Sequence, residues 1–406
     1  MPRLRNTKRP STAGQILPFT AIGMLTLLLF VGVGVDYGFV YLVRANLSKS
    51  VDAAALAAIR NLRHGRASVT NVARAAFAAN YESSAASAHN ASAPTVSAEL
   101  GVDASDNALV TVDASVDVRT FFLGIVPGMR AMRVTAQAET IRPKMILSLV
   151  LDTSGSMLAN GGAAALPDAV DAFLTYFDDA IDRVAVSNYA SAARIDVAMT
   201  RPFKSRVSST LAGLVFDGAT ASEQGILRGY DQARTVTTLP NEEVVKSLVF
   251  FTDGVANTFQ LALNCGARNV YPDLRLFDPT TGAPVGGGCT VPATLTSVDP
   301  ASGVVSTGDQ CAMQLEAERR AEAIARQARN AGIYIYAVGL GGSAGVSTCG
   351  RATLNVPFLQ RVANDPTSGT YDAAQPTGAV AVAENAGDLE RVFGEIAQMV
   401  LYRLRR

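Results

Sequence analysis

The sequence predicts an α/β protein whose central, mostly parallel sheet is covered by helices on both faces. It also predicts a membrane-spanning helix and a small α+β stalk before that sheet. From Met145 onward strands and helices alternate, which is typical of a parallel sheet covered on both sides. Two of these strands, at 145–151 and 244–251, are continuous apolar runs and each is followed closely by an aspartate. Near the amino terminus, a basic cluster precedes a long uncharged stretch.

The composition restricts the class of protein. The 406 residues are enough for two or three domains, and 49% apolar with 17% charged residues excludes a disordered chain. The formal net charge is zero, so the composition gives no indication of nucleic-acid binding. The two histidines, His64 and His89, lie in a polar linker region, so a histidine-based hydrolase or a zinc site is not expected.

The amino-terminal segment predicts a single membrane span. Residues 16–43 are long enough to cross a bilayer and exceed the apolar region of a signal peptide. The preceding basic residues favour an amino terminus in the cytoplasm. We therefore expect a cytoplasmic tail at 1–15 and a transmembrane helix at 16–43 that continues as helix to about 62. The rest of the chain is expected outside the cytoplasm.

The next region, 44–142, is predicted to be an α+β stalk without chemistry of its own. A second helix is expected at 67–82. Period-two alternation predicts a small antiparallel sheet with strands at 94–100, 108–116 and 132–140. Phe121, Phe122 and Ile125 are expected to pack against the apolar face of that sheet.

The first apolar strand ends in Asp152-Thr-Ser154-Gly-Ser156. In an extended loop, residues at a spacing of two point the same way. Carboxylate and hydroxyl oxygens suit a hard divalent cation, Mg²⁺ most naturally. Taken alone, the motif could equally be a capped turn before a helix.

Two later loops strengthen the metal hypothesis. Thr220 stands in a loop before a predicted helix, and Asp253 follows the strand at 244–251. In an open parallel sheet, ligands bind outside the carboxyl ends of the strands. The three loops can therefore meet at one edge.

These residues resemble the metal-ion-dependent adhesion site (MIDAS) of von Willebrand factor type A domains. Asp152, Ser154 and Ser156 match the first loop of the family, Thr220 the second and Asp253 the third. The resemblance implies a Rossmann-like fold and a cation held directly by the hydroxyls, with some carboxylates binding through water. It also implies that an acidic group of a protein partner completes the coordination. Mg²⁺ is expected, while Mn²⁺ and Ca²⁺ share the ligand set and stay open.

The amino-terminal segment resembles that of TadG-like proteins of tight-adherence (Flp) pilus assembly. The resemblance rests on Gly14-Gln15-x-x-Pro18, on Val35-Asp36-Tyr37 and on the alanine-rich run after Asp52. It implies a bacterial membrane protein connected with a pilus. Pilin-like relatives are cut after a glycine and carry a glutamate five residues beyond, where this chain has Phe19. Processing and polymerisation like a pilin are therefore not expected.

The type A domain is predicted at 143–406, with an insertion at 254–309. Its helices are expected at 164–180, 203–214, 222–235, 310–331, 355–363 and 386–403. Further strands are expected at 183–189 and 194–199 as an edge hairpin, at 333–338, and at 369–372 as a last strand.

The insertion is rich in Gly, Pro, Thr and Asn and is predicted to be a surface loop pinned by disulfides. Four cysteines, Cys265, Cys289, Cys311 and Cys349, fall outside the cytoplasm, and their even number predicts two disulfides. The sequence leaves all three pairings open, with buried free thiols as the alternative. We expect the loop to shape partner access, or else to be incidental.

The function expected from these features is partner binding. The chain is predicted to be anchored in the bacterial membrane and to bind a protein partner or surface ligand through the metal site, in the periplasm or at the cell surface. The expected partner is a pilus component or a surface ligand; the alternative is a structural envelope anchor in which the metal only stabilises the domain. An enzyme is not expected, because no His or Lys stands near Ser154 or Ser156 as a base.

Overall fold

The computed structural model divides the chain into two compact units. The amino-terminal unit comprises 1–101 and 109–141, and the sheet unit comprises 102–108 and 142–406. The structure describes residues 16–61, 66–82, 91–104, 107–238, 242–271, 275–286, 288–289, 294–296, 304–306, 310–341 and 354–402. The predicted tail at 1–15, both histidines and Cys349 lie outside the described residues.

The amino-terminal unit is built on one long helix. Its elements are α1 (Ile16–Arg60), α2 (Arg66–Asn80), β1 (Thr95–Val102), β2 (Ala108–Arg119) and β3 (Ala131–Arg142), with the strands in the order β1-β2-β3. The second half of α1 packs against α2 and buries Leu47 and Val51, whereas Phe19 to Val31 expose large apolar side chains. By length and composition, α1 can cross a membrane.

The loop between β2 and β3 corrects one expectation. Phe121, Phe122 and Ile125 do not pack the face of the sheet but are 53%, 46% and 82% exposed. The reason is a contact far along the chain, because the backbone N–H groups of Phe121 and Phe122 donate to the carboxylate of Asp36 in α1. The loop is therefore held against α1 instead of folding under the strands.

The sheet unit alternates strands and helices, as predicted. Its strands are β4 (Lys144–Asp152), β5 (Arg183–Tyr189), β6 (Ala193–Thr200), β7 (Val244–Thr252), β8 (Phe259–Leu263), β9 (Gly266–Val270), β10 (Leu276–Phe277), β11 (Thr294–Thr296), β12 (Val304–Ser306), β13 (Tyr334–Leu340) and β14 (Ala379–Ala383). Six of them form the main sheet in the order β14-β13-β7-β4-β5-β6. All its pairs are parallel except β5 with β6, the edge hairpin.

Helices cover both faces of this sheet. They are α3 (Ser156–Ala159), α4 (Gly162–Leu174), α5 (Lys204–Leu211), α6 (Ser222–Arg234), α7 (Gln310–Asn330), α8 (Val356–Ala363) and α9 (Leu389–Tyr402). Successive residues of a strand point to opposite faces. Leu149 and Leu151 of β4 thus share a core with α4, α5 and α9, and Val150 shares one with α6, α7 and α8. The predicted α/β fold is confirmed.

The predicted last strand at 369–372 is wrong. That segment is a turn in which Asp372 N–H donates to the side chain of Asn364 and Tyr371 N–H to the carbonyl of Ser368. The last strand is instead β14, whose small apolar residues pair in parallel with β13.

The insertion at 254–309, predicted as a surface loop, contains two small antiparallel sheets. Strands β8, β9 and β10 pair antiparallel, and β11 pairs with β12. Phe259 and Val270 are buried in the same core as α7. A disulfide joins Cys265 to Cys289. It confirms a predicted disulfide and identifies the pairing of these two cysteines, which the sequence left open. Cys311 is also disulfide-bonded.

An ion pair secures the start of the main sheet. Asp182 is fully buried and accepts two bonds of 3.0 Å from the guanidinium of Arg142. It also accepts from the backbone N–H groups of Met145 and Asp178. One carboxylate therefore ties the beginning of β4 to the turn that precedes β5.

Asp182→Asn should lower the free energy of unfolding of the sheet unit by about 3 kcal/mol, because it leaves the buried Arg142 without its counter-charge. Chemical denaturation followed by circular dichroism measures this loss. Glu395→Gln in the exposed Arg391–Glu395 pair is the control and should cost less than about 1 kcal/mol. Equal effects of the two substitutions would contradict the structural role of Asp182.

Candidate metal centre

The first loop begins where β4 ends, with its carboxylate fully buried. Asp152 is 0% exposed, and parallel pairing sets it beside Tyr189, the last residue of β5. Ser154 is buried as well, whereas Ser156, at the start of α3, is exposed. The loop therefore runs from the interior of the sheet to the surface.

Three protein groups surround the carboxylate of Asp152. Oδ1 accepts from Ser154 N–H at 2.8 Å, and Oδ2 accepts from the hydroxyl of Thr252 at 2.7 Å. The hydroxyl of Tyr189 lies 3.3 Å from Oδ2 and 2.9 Å from the carbonyl oxygen of Phe251. Residues from β4, β5 and β7 thus hold one side chain in place.

Asp253 follows β7 and joins the first loop through hydroxyl and amide groups. Its Oδ1 accepts from Ser156 Oγ at 2.8 Å, and its Oδ2 accepts from Asn160 Nδ2 at 2.6 Å. Ser154 Oγ and Ser156 Oγ are 3.0 Å apart. Asp253, Ser156 and Ser154 therefore form a continuous hydrogen-bonded chain.

The second loop reaches the same edge through its backbone. Gly155 N–H donates to Gly218 O at 3.1 Å, and Asp217 N–H donates to Thr153 O at 2.9 Å. Thr220 is buried, and its N–H donates to the side chain of Asn257 at 2.7 Å. The three predicted loops thus converge at the carboxyl edge of β4 and β7.

The two carboxylates are electrostatically unfavourable together. Burial, and after it the charge of Asp253, raise the pKa of Asp152 to about 7. Burial also raises the pKa of Asp253. A raised pKa means that the ionised form is destabilised. A positive charge bound beside the two carboxylates would therefore stabilise their ionised forms.

The donor set fits a divalent cation. Among the residues that the structure describes, no three His, Cys, Asp or Glu side chains form a metal-binding group. Here two carboxylates combine with the hydroxyls of Ser154, Ser156 and Thr220, an all-oxygen set that suits Mg²⁺. A hydroxyl can donate to a carboxylate and still offer a lone pair. Metal binding stays a prediction.

The structure adds residues that the sequence did not single out. Tyr189 and Thr252 hold Asp152, Asn160 bonds Asp253, and Asn257 bonds Thr220. Asn160 stands four residues after Ser156, a spacing that puts two side chains on one helical face. This spacing could have identified Asn160 as a residue of the site. Tyr189 could be recognised only from the register of β4 and β5.

Comparison with known families confirms both predicted resemblances. Residues 147–255 match the von Willebrand factor type A domain. Residues 14–79 match the Flp pilus-assembly TadE/G-like family. The chain thus carries a TadE/G-like segment near its amino terminus and a type A domain after it. Among curated proteins, none matches the chain.

Several solved structures of pilus proteins align with this chain at low sequence identity. The pilus adhesin SpaC from Lactobacillus rhamnosus GG is 16% identical, with 77% of this chain and 34% of that chain covered and a TM-score of 0.43. The PilB minor pilin from Streptococcus sanguinis is 14% identical, with 77% and 79% covered and a TM-score of 0.43. The vWF domain of the type V pili tip protein Mfa5 from Porphyromonas gingivalis is 15% identical, with 66% of this chain and 98% of that chain covered and a TM-score of 0.42. The chain spans about a third of the adhesin, and such scores are too low to assign a function.

Mg²⁺ titrated calorimetrically into the full chain should bind saturably to the wild type and not to Asp253→Ala, which loses a carboxylate of the site. Asp168→Ala is the matched control, because this aspartate of α4 is exposed. It should bind as the wild type does. Binding that survives Asp253→Ala would show that the cation sits elsewhere.

Tyr189→Phe should weaken Mg²⁺ binding about 10-fold, because the hydroxyl that orients Asp152 is lost while the ring remains. The expected cost in unfolding free energy is about 1 kcal/mol. The same calorimetric titration measures the affinity. Tyr371→Phe is the control. It removes a hydroxyl remote from the site, which among the described residues is hydrogen-bonded to Thr377, and it should leave the Mg²⁺ affinity unchanged. Unchanged affinity in Tyr189→Phe would contradict a role of the Tyr189 hydroxyl in orienting Asp152 for the cation.

Proposed function

We propose that this protein is anchored in the bacterial membrane by α1 and binds a protein partner through the metal centre of its type A domain. The pilus-assembly segment and the type A domain on one chain support a role in a tight-adherence pilus system. In this proposal the amino terminus lies in the cytoplasm and the sheet unit lies outside it. Binding proceeds by coordination and not by catalysis, with the partner supplying an acidic side chain.

The observation that carries the proposal is the burial gradient across the site. Asp152 and Asp253 are almost completely buried, whereas Ser156 and Asn160 are exposed on the same edge. A cation held at the hydroxyls would offset the buried negative charge and remain accessible from outside. A partner carboxylate could then reach it without any rearrangement of the sheet.

The insertion lies beside the site and lines one side of a cleft there. Asn269 of β9 donates through its amide to Ser191 O at 2.7 Å, which ties the small sheet to the β5–β6 turn. A cleft of about 210 Å³ lies between Thr153, Ser191, Gly218 and the insertion residues Thr280 to Gly282. We infer that the metal centre supplies a common anchoring point and that this cleft discriminates among partners.

The alternative is a structural envelope anchor in which the cation only stabilises the three loops. The side-chain bonds among Ser154, Ser156 and Asp253 and the backbone bonds between the first and second loops join the loops directly, which favours this alternative. The two functions differ in one respect, because an anchor retains its partner after the cation is removed.

Co-sedimentation of the full chain with purified pili of the same system separates the two functions. The wild type should sediment with pili in Mg²⁺ and lose most of this binding in a chelator, and Asp253→Ala should fail in both conditions. Asp168→Ala, at the exposed aspartate of α4, should behave as the wild type. Sedimentation that is indifferent to chelator and to Asp253→Ala would refute metal-dependent capture and support the anchor.

A further inference from the structure

The loop between β2 and β3 ends in an uncharged, apolar tip that stays largely exposed among the described residues. We define the apolar tip as residues 120–129, which contain no charged side chain. Five large apolar side chains of the tip are 42% to 82% exposed, namely Phe121, Phe122, Ile125, Val126 and Met129. A contiguous exposed patch of this kind marks a contact surface.

The tip has a fixed position on α1. The carboxylate of Asp36 is buried and accepts from three successive N–H groups, Phe121 at 2.8 Å, Phe122 at 2.9 Å and Leu123 at 2.7 Å. The ring centroids of Phe39 and Phe121 lie 6.1 Å apart. The tip is therefore held beside the turns of α1 that flank Asp36.

Gly32 makes this docking possible. A Cβ atom at this position would lie 2.4 Å from Cγ of Phe122, so only glycine lets the ring lie on the helix. The contact places Phe122 one turn before Asp36, at the end of the uncharged stretch. From Ile16 to Val35 this stretch spans about 30 Å, which matches the hydrocarbon core of a bilayer.

We propose that the apolar tip inserts into the outer boundary of the bilayer beside α1 and acts as a second membrane contact. This inference rests on the proposed anchoring by α1. Exposed Arg119 and Arg130 border the tip, and Tyr37 and Tyr41 are exposed on α1 at the same level. Long basic side chains and tyrosines are typical of the membrane–water interface. This border fits lipid headgroups better than the apolar surface of a second copy.

The chain contains no tryptophan, so each single Trp variant reports one site. The full chain is reconstituted into phosphatidylcholine–phosphatidylglycerol vesicles with brominated acyl chains, which quench Trp fluorescence on contact. Ile125→Trp reports the tip and Phe30→Trp, on an exposed position of α1, reports the anchor. Val215→Trp, on an exposed position of the sheet unit, reports nonspecific adsorption.

The expected result is blue-shifted, quenched emission for Ile125→Trp and Phe30→Trp, with water-like emission for Val215→Trp. Quenching of Phe30→Trp alone would overturn the inference and leave the anchor intact. Quenching of neither would refute the anchoring itself, and the inference with it. A blue shift of Ile125→Trp without quenching, varying with the protein-to-lipid ratio, would mean that a second copy covers the tip, which also overturns the inference.

Asp36→Ala tests how the tip is held. Combined with Ile125→Trp, it should reduce the quenching at the tip, because three N–H groups lose their acceptor. Combined with Phe30→Trp, it should leave the quenching of α1 unchanged. Full quenching of Ile125→Trp without Asp36 would refute the tethering by this carboxylate.

Discussion

The burial of the Asp152 carboxylate is the constraint on which the functional edge of the sheet unit depends. A buried carboxylate is unfavourable unless hydrogen bonds or opposite charge compensate it. Ser154, Thr252 and Tyr189 supply hydrogen bonds from three directions, which fixes the ends of β4, β5 and β7 relative to one another. These bonds do not remove the electrostatic cost, since the pKa of Asp152 remains raised by burial and by Asp253. The edge is thus ordered by hydrogen bonds and still favours a cation.

Much of this arrangement could be predicted from the sequence, because its determinants are local. An apolar run followed by Asp152 or Asp253 specifies a buried strand with a carboxylate at its end, and parallel pairing brings such ends together. Tyr189 and Asn160 were not predictable in this way, since their roles depend on strand register and on where a short helix starts. The last strand was misplaced for a related reason. Gly369 to Asp372 resemble a strand in composition, but bonds to Asn364 and Ser368 fold them into a turn.

The amino-terminal unit repeats the same physical principle with a different outcome. Asp36 is also a buried carboxylate, and three backbone N–H groups compensate it. These groups come from a loop about 85 residues further along the chain, a separation that no local pattern can indicate. Phe121 and Ile125 were therefore expected in the core of the sheet, where their apolar character would ordinarily place them. In both units a single carboxylate decides where neighbouring loops lie. In one it orders the loops of the proposed cation site, and in the other it holds an apolar surface beside the helix.

The central claim is that the three loops of the sheet unit hold a divalent cation, and anomalous diffraction from crystals grown with Mn²⁺ tests it most directly. Manganese shares the oxygen ligands of magnesium and scatters anomalously, so an anomalous difference map locates it directly. The account predicts one strong peak in contact with Ser154, Ser156 and Thr220, near Asp152 and Asp253. A well-ordered sheet unit with no peak at these residues, or with the peak at a different cluster, would contradict it.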